Sequence, residues 1–351
     1  MQKEFSSDLK SRRNTRLIFS SLVLLVAIFL ILDIFFGSVS IKASDVIKAI
    51  FTNADNNFEI IILKFRLPKA ITALTVGVAL SLSGLQMQTV FRNPMAGPYV
   101  LGISSGASLG VAFVILGFSS NITTVSLNGL GNWILVAASW IGAGAVMLLI
   151  MVISSKVKDI MTILILGIML SSGISAIVTI MQYFSNETLL KAYVIWTMGS
   201  LGNLTASQLN VLLISVLAGV IMSLFSSKML NALLLGENYA SSIGLNVRIA
   251  RAVIFTCTSI LAGSVTAFCG PIGFIGIAVP HIVRILFKTS DHKILIPGTI
   301  LMGGAVMLIS DIISQLPGSE SVLPVNAVTS LIGIPVVIWV ILRNRKYSGP
   351  F

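Results

Sequence analysis

Ser226–Arg251, SSKMLNALLLGENYASSIGLNVRIAR, is a polar island between two long apolar runs. It is too long for a tight turn and too short for a domain. Leu230, Leu233 and Leu234 share one helical face before Gly236, and Glu237 to Ile243 supplies two more turns before Gly244. Each glycine can take the positive φ at which a helix stops. The spacing therefore predicts two short helices. An elbow of this kind at a membrane surface suits docking better than chemistry, and it requires the apolar runs on either side to be read as spans.

Working outward, the same reading extends to the whole chain. Of its 351 residues, 56% are hydrophobic and 10% are charged, whereas a soluble domain carries about 25% charged residues. One apolar run after another reaches the ~17–25 residues that a spanning helix needs. Ten spans are expected, at about 17–36, 71–91, 99–118, 133–153, 161–184, 208–225, 252–268, 273–287, 294–313 and 325–342. The fold class is thus an all-α polytopic membrane protein. Alternating short strands are missing, which argues against a barrel. The run 192–201 is apolar but too short to cross, and reads as a re-entrant or surface helix. The basic start MQKEFSSDLKSRRNTR and the run after it resemble a signal peptide, but that run exceeds the usual length of ~7–15 residues. A retained first span is expected.

Lys and Arg orient the bundle. With the N-terminus inside, 17 of the 23 basic residues lie in inner segments and 6 in outer ones, and the island falls inside. The expected organisation is a cytoplasmic basic tail (1–16), one transmembrane domain (17–342) with the loop 226–251, and a cytoplasmic tail (343–351). The net charge of +11 sits in these loops, so the partner it implies is the lipid bilayer rather than nucleic acid. Within the spans, only Asp33 and Asp311 stand out, both near expected outer ends. Ion-coupled carriers tend to place charges at mid-span, where each costs ~2.5–3.5 kcal/mol or more. That pattern is missing here, which disfavours such a carrier.

Two stretches break helical regularity: QTVFRNPMAGPYVLGISSGAS at 88–108 and GSVTAFCGPIGFIGIAVPHIVR at 263–284. Non-helical backbone at membrane depth must be covered by protein or line a water cavity. Gly102, Gly106 and Gly110 form a double G-x-x-x-G, and Gly77 with Ser81 a similar pair; both read as close helix packing. Cys257 and Cys269, twelve residues apart on one helix, are ~18 Å apart, too far for a disulfide, and read as small apolar fillers. His281 and His292 lack a ligand-like spacing, so no metal is expected. No Lys follows a Gly, so G-x-x-x-x-G-K-[ST] is missing, as is any credible nucleophile–base or clustered carboxylate pair. An enzyme is not expected.

Seven motifs in order resemble the FecCD family of ABC-importer permeases, which serves cobalamin, haem and iron–siderophores. They are RLPK at 66–69, SGLQMQTVFRNP at 83–94, LGISSGA at 101–107, LGENYASSIG at 235–244, GFIGIAVPHIVR at 273–284, DHKILIP at 291–297 and LPVNAVTSLIGIP at 323–335. Gln88, Asn93, Pro94, Gly102, Gly106, Gly273, Gly276, Pro280 and His281 belong to these signatures. The resemblance implies a permease subunit of an ATP-driven importer in the bacterial cytoplasmic (inner) membrane, with both termini cytoplasmic. Its cargo would be an iron–siderophore, haem or cobalamin. The implied partners are a second permease subunit, identical or not, a dimer of ATP-binding subunits beneath, and an extracytoplasmic solute-binding protein above. ATP and Mg would sit on the ATPase, with no cofactor on this chain.

Residue by residue, the resemblance makes 226–251 the coupling loop that enters a cleft on the ATPase, through Leu235, Gly236, Glu237, Ala240 and Gly244. Arg66 and Lys69 match positions that meet acidic residues of the binding protein. The family usually has Arg where Lys69 stands and often Arg where Gln315 stands; Lys cannot make the bidentate contact. The path would be lined by Ser171, Ser172 and Ser175 of the fifth span and by Trp196, Met198, Gly199 and Ser200, which match a W-x-x-G-S/G pattern. The competing function is a secondary transporter driven by an ion gradient.

Overall fold

The structure, a computed structural model, describes residues 2–37, 41, 46, 57–117, 130–157, 159–315 and 322–344. These residues form helices α1 (Gln2–Phe35), α2 (Leu67–Val90), α3 (Ile103–Ala112), α4 (Leu130–Lys156), α5 (Ile160–Tyr183) and α6 (Glu187–Thr197). After them come α7 (Ala206–Phe225), α8 (Ser227–Leu234), α9 (Glu237–Ser242), α10 (Val247–Cys269), α11 (Ile275–Phe287), α12 (His292–Ser314) and α13 (Val325–Asn344). A short helix, Asn57–Ile60, and a π-helical turn, Ile61–Arg66, run straight into α2, and a second π turn, Phe113–Gly117, extends α3.

Among the described residues, seven helices are long and apolar enough to cross a membrane, and three shorter apolar ones lie at 103–117, 275–287 and 325–339. Together they coincide with the ten expected spans, so the all-α polytopic architecture holds. The end of the third expected span, Phe118, lies outside the described residues, as do Lys42, Lys48, Lys158, Arg345 and Lys346 of the basic-residue tally.

Helix α2 is the axis of the bundle. It is buried on nearly every side and packs on α12, α10, α11 and α7. Lipid tails give apolar helices no reason to pair by hydrophobicity, so close van der Waals contact must hold them. The sequence of α2 allows that contact. A Cβ on Gly84 would overlap the Gly276 carbonyl of α11, and one on Gly77 would overlap the Gly303 carbonyl of α12. A second seam joins α3 to α4, where Gly106 meets Gly142 and Gly110 meets Ala138. The small-residue faces are therefore packing surfaces. Cys257 and Cys269 are both buried and free. Cys257 is more than a filler: Gln86 Nε2 donates to its Sγ at 3.2 Å and to Ser223 Oγ at 2.7 Å, while Thr258 Oγ1 donates to Gln86 Oε1 at 2.8 Å. This network joins α2, α7 and α10.

Three boundaries differ from expectation, each for a local reason. The expected surface helix at 192–201 instead spans 187–197, because the Asn186 side chain caps its start by accepting from Leu189 N at 2.9 Å. The span expected from 252 begins at Val247, capped by Asn246, so Arg248 and Arg251 belong to a long helix rather than to the loop. Arg66 and Lys69, expected in an outer loop, lie on the continuous helix leading into and opening α2.

Candidate functional site

The island folds as its pattern predicts. Helix α8 ends before Gly236, at φ 107°, and α9 ends before Gly244, at φ 88°. Both values lie where L-residues with a Cβ are disfavoured. Leu230 and Leu233 are buried against α2 and α12, which holds the elbow down on the bundle. The buried Arg251 of α10 grips Glu237 of α9: Nε donates to Oε1 at 2.9 Å, and Nη2 to Oε1 at 2.6 Å and to Oε2 at 2.5 Å. Arg251 Nη1 also donates to the Val157 carbonyl at 3.2 Å, binding the end of α4 to the same point.

This geometry redistributes the residues proposed for docking. Ala240 is fully buried and faces inward, and Glu237 is half-buried and already paired. Of the expected residues Leu235 (64% exposed) and Gly244 face outward while Gly236 is buried, and Tyr239 and Ile243, with 50% and 57% exposure, complete the outward surface. Leu235, Tyr239 and Ile243 recur every four residues, which is the signal that could have added Tyr239 and Ile243 to the expected set. Weight on charged and glycine motif positions hid it.

The two irregular stretches interlock beside this elbow. Arg284 Nη1 donates to Gln88 Oε1, and Gln88 Nε2 donates to the Ile277 carbonyl at 3.1 Å. The His281 ring donates from Nε2 to the Pro94 carbonyl at 2.7 Å. Asn93 Oδ1 accepts from Met95 N at 2.9 Å, shaping the turn between them. Gly276 sits against Leu80 and Pro98, Gly273 N donates to Asn326 Oδ1 at 3.0 Å, and Pro280 lies within α11. Broken backbone in each stretch is thus covered by the other.

At the opposite end of α2, Arg66 and Lys69 turn inward. Arg66, 7% exposed, donates from Nη1 to the Ile34 and Phe35 carbonyls at 2.9 Å each. Lys69 Nζ lies 3.0 Å from Asp311 Oδ1. Both cations therefore hold internal partners, and Arg66 presents little surface to another protein in this conformation.

Trp196, Met198, Gly199 and Ser200 line one cavity of about 520 Å³ with Asn203, Gln208 and Phe268. The backbone there is pinned by Ser200 N donating to the Cys269 carbonyl at 2.9 Å, with Gly199 at φ 75°. Ser171, Ser172 and Ser175 do not join them. Ser172 and Ser175 are exposed on α5, and Ser171 and Ser172 bond their own helix at Gly167 O (2.9 Å) and Ile168 O (3.0 Å). Within one chain, the serine face and the cavity remain separate.

Residues 24–343 match the profile of the FecCD transport family. The vitamin B12 import system permease protein BtuC of Salmonella paratyphi A is 33% identical over 338 residues, covering 96% of this chain and 98% of the relative. The hemin transport system permease protein HmuU of Yersinia pestis is 36% identical over 285 residues, covering 81% of this chain and 84% of the relative. Among solved structures, an inward-facing ABC transporter of the metal-chelate type aligns with a TM-score of 0.80 at 27% identity, covering 94% of this chain and 99% of that one. PsaBC from Streptococcus pneumoniae aligns with a TM-score of 0.53 at 15% identity, covering 81% and 93%. That second likeness bears on the fold alone.

Proposed function

The chain belongs to the FecCD transport family, and from that membership we propose how this permease subunit of an ATP-driven importer works and what it carries. It is a multi-pass membrane protein and a transport component. The energy source is a separate ATP-binding subunit, which holds the ATP and Mg and seats itself on the elbow of α8 and α9. The observation that carries this reading is the exposed set Leu235, Tyr239 and Ile243 on a glycine-bounded elbow welded to the bundle. Apolar side chains displayed on a polar segment favour a protein partner over water. Both termini then face the cytoplasm, in keeping with the distribution of Lys and Arg.

The subunit pairs with a second permease subunit, and the open serine face of α5 suits a path formed between them. Trp196, Met198, Gly199 and Ser200 line the approach to it. A solute-binding protein delivers cargo at the end of the bundle that carries Lys69. The cargo is a bulky chelate or macrocycle, an iron–siderophore, haem or cobalamin, by analogy with the relatives that carry vitamin B12 and hemin.

The experiment is uptake into vesicles holding this chain with its ATP-binding subunit, given each cargo class on the binding protein. Uptake that requires internal ATP and survives collapse of the proton gradient is expected. Uptake that persists without the ATPase and stops with the gradient would overturn the reading.

A further inference from the structure

Helix α8 is fastened to the bundle in two chemically different ways. Leu230 and Leu233 supply buried apolar contact. Such contact holds surfaces together but sets register poorly, since it is non-directional. Asn231, between them, makes three directed bonds. Its Oδ1 accepts from His292 N at 2.9 Å and from the His292 ring at Nδ1 at 2.6 Å, and its Nδ2 donates to Asp291 Oδ1 at 2.7 Å. The amide orientation is set by its neighbours: N–H groups stand on one side and a carboxylate on the other. An amide oxygen only accepts, so the proton of His292 sits on Nδ1. The lone pair on Nε2 then stands 2.8 Å from the buried Thr89 hydroxyl, whose single proton is shared between that nitrogen and the Leu85 carbonyl, also at 2.8 Å.

Three elements meet at this joint: the elbow, the start of α12 and the end of α2. Helices α2 and α12 form the most extensive helix pair in the bundle. Twenty residues along α2 from Thr89 lies Lys69, ~30 Å away at helical rise. It is paired there with Asp311, nineteen residues along α12 from His292. A displacement of α8 is thus delivered to the base of a rigid two-helix post whose far end is closed by an ion pair.

We propose that Asn231 is a positioning residue of the transport cycle, locking the elbow in register with α2 and α12 through His292 and Thr89 so that movement of the ATPase reaches the far end of the bundle. The inference rests on the elbow being the ATPase seat. Glu237 and Arg251 tie the neighbouring α9 to α10 instead, so they do not replace this link.

The test uses the full complex in vesicles, with Asn231→Ala and, as a milder change that keeps the shape, Thr89→Val. The probes are a ferric hydroxamate siderophore, haem and cyanocobalamin run in parallel, each on the binding protein. Three quantities are read: bound ATPase, ATP hydrolysis, and cargo taken up per ATP. Spin labels at the exposed Ser241 and Ile313 report movement of the elbow and of the far end of α12 on vanadate trapping. Expected for both variants are unchanged ATPase binding, hydrolysis within about twofold, and a fall of roughly tenfold in cargo per ATP. The label at Ser241 should still respond while the label at Ile313 does not. Cargo per ATP equal to that of the unaltered chain would overturn the proposal. So would loss of ATPase binding in Asn231→Ala, which would assign the residue to the shape of the elbow. If the unaltered chain fails to bind the ATPase through the elbow, the seat itself is wrong and the proposal falls with it.

Discussion

Lys69 Nζ stands 3.0 Å from Asp311 Oδ1, at the end of α2 and α12 opposite the elbow. Around this pair, Gln315 Nε2 donates to Asp33 Oδ1 at 3.0 Å and to Asp311 Oδ2 at 2.9 Å, so one amide nitrogen bridges two buried carboxyl groups. Arg66 meanwhile satisfies carbonyls at the end of α1, which a helix terminus leaves without partners. Four ionisable side chains and a glutamine thereby join α1, α2 and α12. The residues that motif resemblance assigns to the binding protein are, in this conformation, committed to the bundle.

Lys69 is partly exposed but Asp311 is fully buried, so removing the lysine leaves a buried carboxyl group without its cation, at a cost of up to ~3–5 kcal/mol. Lys69→Met should therefore lower the thermal stability of the purified permease, and Lys69→Met with Asp311→Asn should recover much of it. Thermal unfolding in detergent reads both. If Lys69 served mainly to meet the binding protein, the single change would leave stability intact and weaken binding instead.

At the elbow, the exposed residues should carry the interface. Tyr239→Ala and Ile243→Ala are each expected to cost at least ~1 kcal/mol of ATPase affinity, the usual scale for a side chain near the centre of an interface. Stability should hardly change, since both side chains already face outward. Titration of the ATPase against the permease in nanodiscs measures the loss. Gly244→Val attacks the same surface through the backbone. Nothing lies within 4 Å of a Cβ there, so its effect comes from the positive φ alone, ~1–3 kcal/mol of strain at the turn. Co-purification of normal amounts of ATPase with Gly244→Val would count against the elbow as its seat.

Much of this was legible because the bilayer imposes length and polarity rules on each span. The ten apolar runs, the two elbow helices and their glycine ends follow from local pattern. What pattern could not supply was direction. Ala240 and Tyr239 are adjacent, yet one is buried and the other half-exposed, because the packing of α9 on α10 decides which face turns inward. Likewise, Arg66 and Lys69 look like free cations when the partners that claim them, Phe35 and Asp311, are 31 and 242 residues away in sequence. The pairing of the 88–108 and 263–284 stretches was invisible for the same reason.

The glycine seams make a controlled comparison possible within one helix. A Cβ at Gly142 would overlap the Gly106 carbonyl, whereas one at Gly144 meets nothing within 4 Å. Gly142→Ala should force α3 and α4 apart and destabilise the protein by ~1–3 kcal/mol. Gly144→Ala should be neutral or stabilising, since alanine favours a helix over glycine by up to ~1 kcal/mol. Thermal unfolding of the two variants decides it. Equal behaviour would mean the α3–α4 seam is looser than the close carbonyl approach implies.

The last expectation concerns acid. Asp291 lies just before α12, outside the spans. The Asn231 amide first, then the Lys293 backbone N–H and the Lys293 charge, hold its carboxyl below the ordinary aspartate range despite some desolvation. A group whose folded pKa is depressed contributes stability that is fully present above its unfolded value, ~3.9. That contribution is lost as pH falls from there through the folded value. The permease should therefore lose part of its thermal stability below about pH 4. Asp291→Asn removes the titrating group, so its melting temperature should start lower at pH 7 and show a shallower loss in acid. Asn231→Ala should shrink the same acid-dependent step, because it removes the leading cause of the shift. Should Asp291→Asn melt with the same acid dependence as the unaltered chain, the carboxyl–amide contact would have no part in holding α8 to α12.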